Sequence, residues 1–135
     1  EFLTQVVSFD LPNVAENSTQ RISLYVDASL NVNDYLKQDK DGIWVSVKNT
    51  AGTNFSITPT PDGTKKIIAF DLTDQGVLDH DRTAGQISDP GAPVFLNTLP
   101  VITSNGGGAE AAVSIAENTT AVTTVVSTDT DAGDT

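Results

Sequence analysis

Polar and apolar residues alternate one for one through QRISLYVD (20–27). Ile22, Leu24 and Val26 fall on one face, and Arg21, Ser23, Tyr25 and Asp27 on the other. A period of two marks a strand with one face buried and one wet. IWVSVK (43–48) repeats the pattern, with Ile43, Val45 and Val47 opposed to Trp44, Ser46 and Lys48. By the same logic Phe55 and Ile57 point inward from NFSIT (54–58), and Ile68, Phe70 and Leu72 from KKIIAFDL (65–72). FLTQVVSFDL (2–11) reads as a first strand, and VNDYLK (32–37) as a short strand or extended turn. Turn chemistry separates these runs: QDKDG (38–42) with Gly42 in a left-handed position, the loop NTAGTN (49–54), and the Pro-Asp-Gly of TPTPDGT (58–64). Five or six strands with frequent turns predict an all-β fold, an antiparallel β-sandwich or barrel. No window carries helical periodicity.

The pattern changes after residue 96. From Asn97 to Thr135 there is no lysine or arginine, and SNGGGAE (104–110) has the composition of a flexible linker. AAVSIAENTTAVTTVVSTD (111–129) holds two short β-prone runs with too few partners to bury a core. The expected organisation is a sandwich over 1–96, a linker over 97–110, and an incomplete second module over 111–135, forming a largely extended or disordered C-terminal tail. Glu1 opens the chain without a methionine, which reads as a piece of a longer protein. A short echo joins the two parts: Ala-Glu-Asn followed by a hydroxyl pair occurs after Val14 and again after Ile115. Similar turns ahead of strands account for it, and two copies do not establish a repeat.

Composition narrows the function classes. The 135 residues carry a net charge of −11, so the surface repels nucleic acid and anionic lipid and attracts cations. Cysteine is absent, which removes disulfides and thiolate metal sites. No run is long and apolar enough to predict membrane insertion.

The candidate chemistry is concentrated in DQGVLDHDRTAGQISDPG (74–91), with four aspartates and three glycines in a segment that reads as neither helix nor regular strand. Closely spaced Asp side chains in a glycine-bearing loop suit calcium, which takes six to eight oxygen ligands. Asp74, Asp79, Asp81 and Asp89 are the expected side-chain ligands, with backbone carbonyls near Gly76 completing the shell. A solvated acidic loop is the alternative; mutual repulsion of unpaired carboxylates favours the ion. The EF-hand pattern is not met, because Arg82 and Thr83 stand where an acid and the glycine belong.

Other chemistries have thinner support. His80 is the single histidine and reads as a solvent-facing loop residue; Ser88 and a nearby Asp complete a triad only on paper, with no nucleophile-elbow motif. The Asp89-Pro90 step permits self-cleavage, although Pro90 more simply stiffens a turn. Trp44 and Tyr25, on outer strand faces, offer a sugar-stacking patch or cover for a second sheet.

TDQGVLDHDRTAGQISDPGAPV resembles the closing segment of the choice-of-anchor U domain of bacterial exported proteins. YLKQDKDGIWVSV (35–47) is similar to that family's lysine-turn-glycine-x-tryptophan hairpin, and KIIAFDLTDQG (66–76) to the strand leading into its acidic loop. The resemblance covers about residues 20–95. Asp74, Gly76, Asp79, Asp81, Gly85, Ile87, Asp89, Pro90, Gly91 and Pro93 match, while Gln75, Arg82 and Ala92 replace glycines. The last 37 residues resemble the start of a bacterial cadherin-like adhesin repeat, with DTDAGDT (129–135) similar to its Asp-x-Asp-x-Gly calcium loop. That likeness implies a partial calcium site of Glu117, Asp129, Asp131 and Asp134.

The two likenesses together imply a non-catalytic, calcium-stabilised spacer or cap in a tandem array on a secreted or cell-surface bacterial protein. Its partners would be neighbouring repeats of the same polypeptide and a cell-surface or matrix glycan or protein, not nucleic acid. The rival readings are a carbohydrate- or protein-binding lectin-like module and calcium-dependent self-processing at Asp89-Pro90.

Overall fold

The computed structural model describes residues 2–120 and 122–131. Two compact units divide between Leu96 and Asn97.

The first unit is all-β, a sandwich of two antiparallel sheets. Strands β1 (Val7–Pro12), β7 (Gln86–Val94), β3 (Asp34–Gln38) and β4 (Trp44–Ser46) form one sheet in the order β1-β7-β3-β4. Strands β2 (Thr19–Asp27), β6 (Lys65–Thr73) and β5 (Ser56–Pro59) form the other, in the order β2-β6-β5. Alternation puts Ile22, Leu24 and Val26 of β2 toward the core, and Ile68, Phe70 and Leu72 of β6 are fully buried. Opposite them, Tyr35 of β3 stacks on Phe70 with ring centroids 4.9 Å apart, and Ile87 of β7 closes the layer. Aliphatic burial from both sheets is the main drive for this packing.

Most expected strands are present, with shifted ends. The first begins at Val7 rather than Phe2, although Phe2 makes an isolated bridge to Val94. The Ile43–Lys48 run keeps only three strand residues, and Ile43 is exposed rather than inward. Asp39 explains the tight turn before it: its carboxylate accepts the N–H groups of Asp41 and Ile43, both at 2.9 Å, while Gly42 takes φ +76°.

The larger correction concerns the end of the 74–91 segment, expected to be neither helix nor regular strand: Gln86–Gly91 belongs to β7, Gln86–Val94. This nine-residue strand lies inside its sheet rather than at an edge. Two prolines, a glycine and an aspartate argue against such a strand. The ladder explains the tolerance: β1 pairs with Gln86–Gly91, and β3 with Gly91–Val94. Pro90 lies in the part paired with β1 and Pro93 in the part paired with β3, so neither proline has to serve two strand ladders. Along β7 the set Ile87, Asp89, Gly91, Pro93 is buried, a period-two set in which only Ile87 carries the usual hydrophobic signature.

The second unit has little core. Strands β8 (Val101–Ile102) and β9 (Ser127–Thr128) pair over two residues each, and one turn of 3-10 helix spans Ser104–Gly106. Residues 111–116 have no regular structure, and Leu99, Val101, Ile102, Val113, Ile115, Val122, Val125 and Val126 are all exposed. The Ala-Glu-Asn echo is also an echo in shape. The Ser18 N–H bonds to the Ala15 carbonyl and the Thr119 N–H to the Ala116 carbonyl, with Asn17 (φ +57°) and Asn118 (φ +68°) both left-handed. Two copies of one turn type are what asparagine before a hydroxyl residue favours.

Candidate functional site

The acidic segment runs from the end of β6 to the start of β7, and its aspartates turn inward. Asp74 is 1% exposed. Its Oδ2 accepts the Asn17 N–H at 2.9 Å, and its Oδ1 accepts those of Gly85 and Gln86 at 3.0 and 3.1 Å. One carboxylate thereby fastens the β1–β2 turn to the exit of the acidic loop. Asp79, fully buried, does the same across the loop: Oδ1 accepts the Ser88 N–H at 3.1 Å and Oδ2 that of Gln75 at 2.9 Å. Gln75 stands at φ +59°, a left-handed position that costs an ordinary side chain energy and suits the glycine of the resembled family.

These uses set the proton affinities. The N–H donors, Asn17 first, hold Asp74 below the usual carboxylate range. Burial pushes Asp79 up, and the nearby charge of Asp81 pushes the same way. Asp74 therefore stabilises the fold at pH values above its unfolded pKa of about 3.9. That contribution is lost as pH falls through its lower folded value. We expect Asp74→Ala to lower the melting midpoint at pH 7, and the deficit against the parent chain to shrink below about pH 4. Melts across that range check it.

His80 and Arg82 of the same loop reach the β3–β4 hairpin. Asp81 Oδ1 accepts the Thr83 N–H at 2.6 Å, and its Oδ2 is buried without a donor. His80 is half-buried rather than solvent-facing: Nδ1 lies 2.8 Å from the Asp39 carbonyl, and its N–H bonds to the Ser88 carbonyl. Arg82 pairs with Asp41 at 2.7 Å. Both partners of that bridge are well exposed, so it contributes at most about 1 kcal/mol.

The fourth aspartate defines the chemistry of the site. Asp89 and Lys37 are both fully buried, on neighbouring strands β7 and β3. Lys37 Nζ lies 3.0 Å from Asp89 Oδ1, off the ideal hydrogen-bond line, and donates to the Ser88 carbonyl at 3.0 Å. The Tyr35 hydroxyl sits 3.5 Å from Asp89 Oδ2. Gly91 is opposite Lys37 in the ladder and leaves room for this cluster, since a Cβ there would lie 2.6 Å from the Tyr35 hydroxyl oxygen. Burial dominates both titrations: it pushes Asp89 up and Lys37 down, the latter against the charges of Asp89, Asp79 and Asp39. Tyr35 is raised, by burial first and then by the Asp89 charge.

The four loop aspartates thus do not converge as a ligand set. Asp74 and Asp79 hold backbone N–H groups, Asp89 already faces an ammonium group, and among the described residues no three acidic or histidine side chains are arranged to hold a metal. The oxygens of Asp74 and Asp79 that a calcium shell would use already accept backbone N–H groups. In the tail, Asp129 Oδ1 accepts the Asp131 N–H at 2.7 Å, and Asp131 Oδ2 accepts the backbone N–H and the hydroxyl of Thr98. Glu117 is exposed on its turn, and Asp134 lies outside the described residues. Tyr25 and Trp44 belong to different sheets, and Trp44 packs on Phe2 with centroids 4.9 Å apart. Asp89-Pro90 lies within β7 rather than on a turn.

The sequence reading did not single out Lys37 or Tyr35. Their i, i+2 spacing on VNDYLK was the available signal, because it places both on one strand face. No helix among the described residues is long and apolar enough to cross a membrane. No protein-family model, curated protein or solved structure matches the chain.

Proposed function

We propose that the chain is a non-catalytic structural module of a large exported bacterial surface protein, a spacer or cap beside further repeats, as the likeness to choice-of-anchor U and cadherin-like domains implies. The observation that carries this reading is the use of the acids. Asp74, Asp79 and Asp89 are spent inside the first unit as fasteners for backbone and lysine, and are not presented to a substrate. A strongly acidic exterior without cysteine suits an exposed, soluble spacer surface. Rigidity then comes from internal hydrogen bonds and the sandwich core, and the bend of the acidic loop does not depend on calcium.

Thermal melts in chelator and in millimolar calcium test this. Midpoints that agree within about 1 °C are expected, because a ligand binding only the folded state raises the midpoint by mass action. A rise of several degrees with calcium would restore the metal as the stabiliser. Limited digestion with elastase, a serine protease that needs no metal for catalysis, gives a second readout: the exposed apolar residues of the second unit are cut first, and a fragment covering the first unit persists in both buffers.

A further inference from the structure

We propose that Lys37 and Asp89 form an intramolecular isopeptide bond, joining Lys37 Nζ to the Asp89 side-chain carbonyl carbon and releasing one water. The geometry is that of a built reaction site. The amine nitrogen and a carboxyl oxygen are 3.0 Å apart, and both side chains are fully shielded from solvent. They are fixed on paired strands, with Lys37 directly across the ladder from Gly91, so no side chain intervenes from that position. Holding two groups at contact distance replaces a bimolecular encounter with an intramolecular one. Exclusion of water penalises the charged forms of both groups and favours condensation over hydrolysis.

The steps balance with the atoms present. The Lys37 ammonium passes one proton to Asp89 Oδ1 across their contact, giving a neutral amine and a carboxylic acid. Complete burial of both side chains favours this uncharged state. The nitrogen lone pair then attacks Cγ, and the C–Oδ2 π electrons move to Oδ2, where the Tyr35 hydroxyl is placed to donate. The Ser88 carbonyl accepts a hydrogen from Nζ and orients the amine. The nitrogen gives a proton to the Oδ1 hydroxyl, which leaves as water, and Oδ2 returns to a carbonyl. One N–C bond forms and one C–O bond breaks, with no oxidant, metal or co-reactant.

The bond would lock β3 to β7 beside the acidic loop, a covalent staple in a chain with no disulfide. Intact-mass measurement of the purified full chain, folded at neutral pH and then denatured, tests it. The expected mass is lower than the sequence mass by one water, with a branched peptide linking Lys37 to Asp89 in the thermolysin map. Chain kept in urea throughout retains the full mass, as do Lys37→Arg and Asp89→Ala. Should either variant fail to fold, the parent peptide map decides alone. A folded parent at full mass after long incubation overturns the proposal. So does a water loss that maps to a succinimide at Asp41-Gly42 or Asp62-Gly63. Neither result bears on the calcium comparison, so the two readings fail separately.

Discussion

Relative to parent chain in which Lys37 and Asp89 are not yet joined, Lys37→Met is expected to lower the unfolding free energy by about 3–5 kcal/mol, the usual cost of stranding one partner of a buried ion pair. The residue is fully buried, and its loss would leave the Asp89 carboxylate with the Tyr35 hydroxyl, 3.5 Å away, as its nearest donor. The Ser88 carbonyl would lose its lysine donor as well. A domain has only about 5–15 kcal/mol in total, so the variant should unfold at a far lower urea concentration by circular dichroism. Adding Asp89→Leu should recover much of the loss, because a matched apolar pair removes both desolvation penalties. Arg82→Ala serves as the contrast. Its bridge to Asp41 is solvent-exposed and should change stability by no more than about 1 kcal/mol. Lys37→Met unfolding with the parent chain would show that the pair does not hold β3 to β7.

Gly91→Ala is the second large effect, near 3 kcal/mol, because overpacking a filled core forces side chains off their rotamers. The added methyl would lie against the Tyr35 ring, and Tyr35 cannot retreat: it is fully buried and stacked on Phe70. The melting midpoint should fall by roughly 10 °C or more. The clash is with one side chain, so Tyr35→Leu combined with Gly91→Ala should cost less than the sum of the two single changes. Strict additivity would place the strain in the β7 backbone instead of the ring.

Both variants probe the strand that the amino-acid pattern hid. β2, β5 and β6 were legible because alternation over Ile22, Leu24 and Val26, or over Ile68, Phe70 and Leu72, is a local signal that burial reinforces. The turns were legible for the same reason, since Asp39 and Gly42 act within a few residues of themselves. The poor core of the second unit was foreshadowed by a run without enough partners to bury its valines.

The acidic segment behaved differently. Its aspartates stood out as a group, but their donors are N–H groups that the segment reaches only by folding back on itself, at Gln75, Gly85, Gln86 and Ser88, together with Asn17, Tyr35 and Lys37 from other strands and turns. Without those donors in view, mutual carboxylate repulsion is the only local force the segment displays.

Sequence alone determined an all-β chain with an acidic surface, the strands of the β2-β6-β5 sheet and the place where its composition changes. Tertiary structure alone decided that Gln86–Val94 is an inner strand and that Lys37 meets Asp89, 52 positions away along the chain, within 3.0 Å. The physical reason is range. Side-chain alternation and turn preferences act between neighbours in the chain, whereas a proline's place in a ladder and a buried charge's partner are set by strands that meet only after folding.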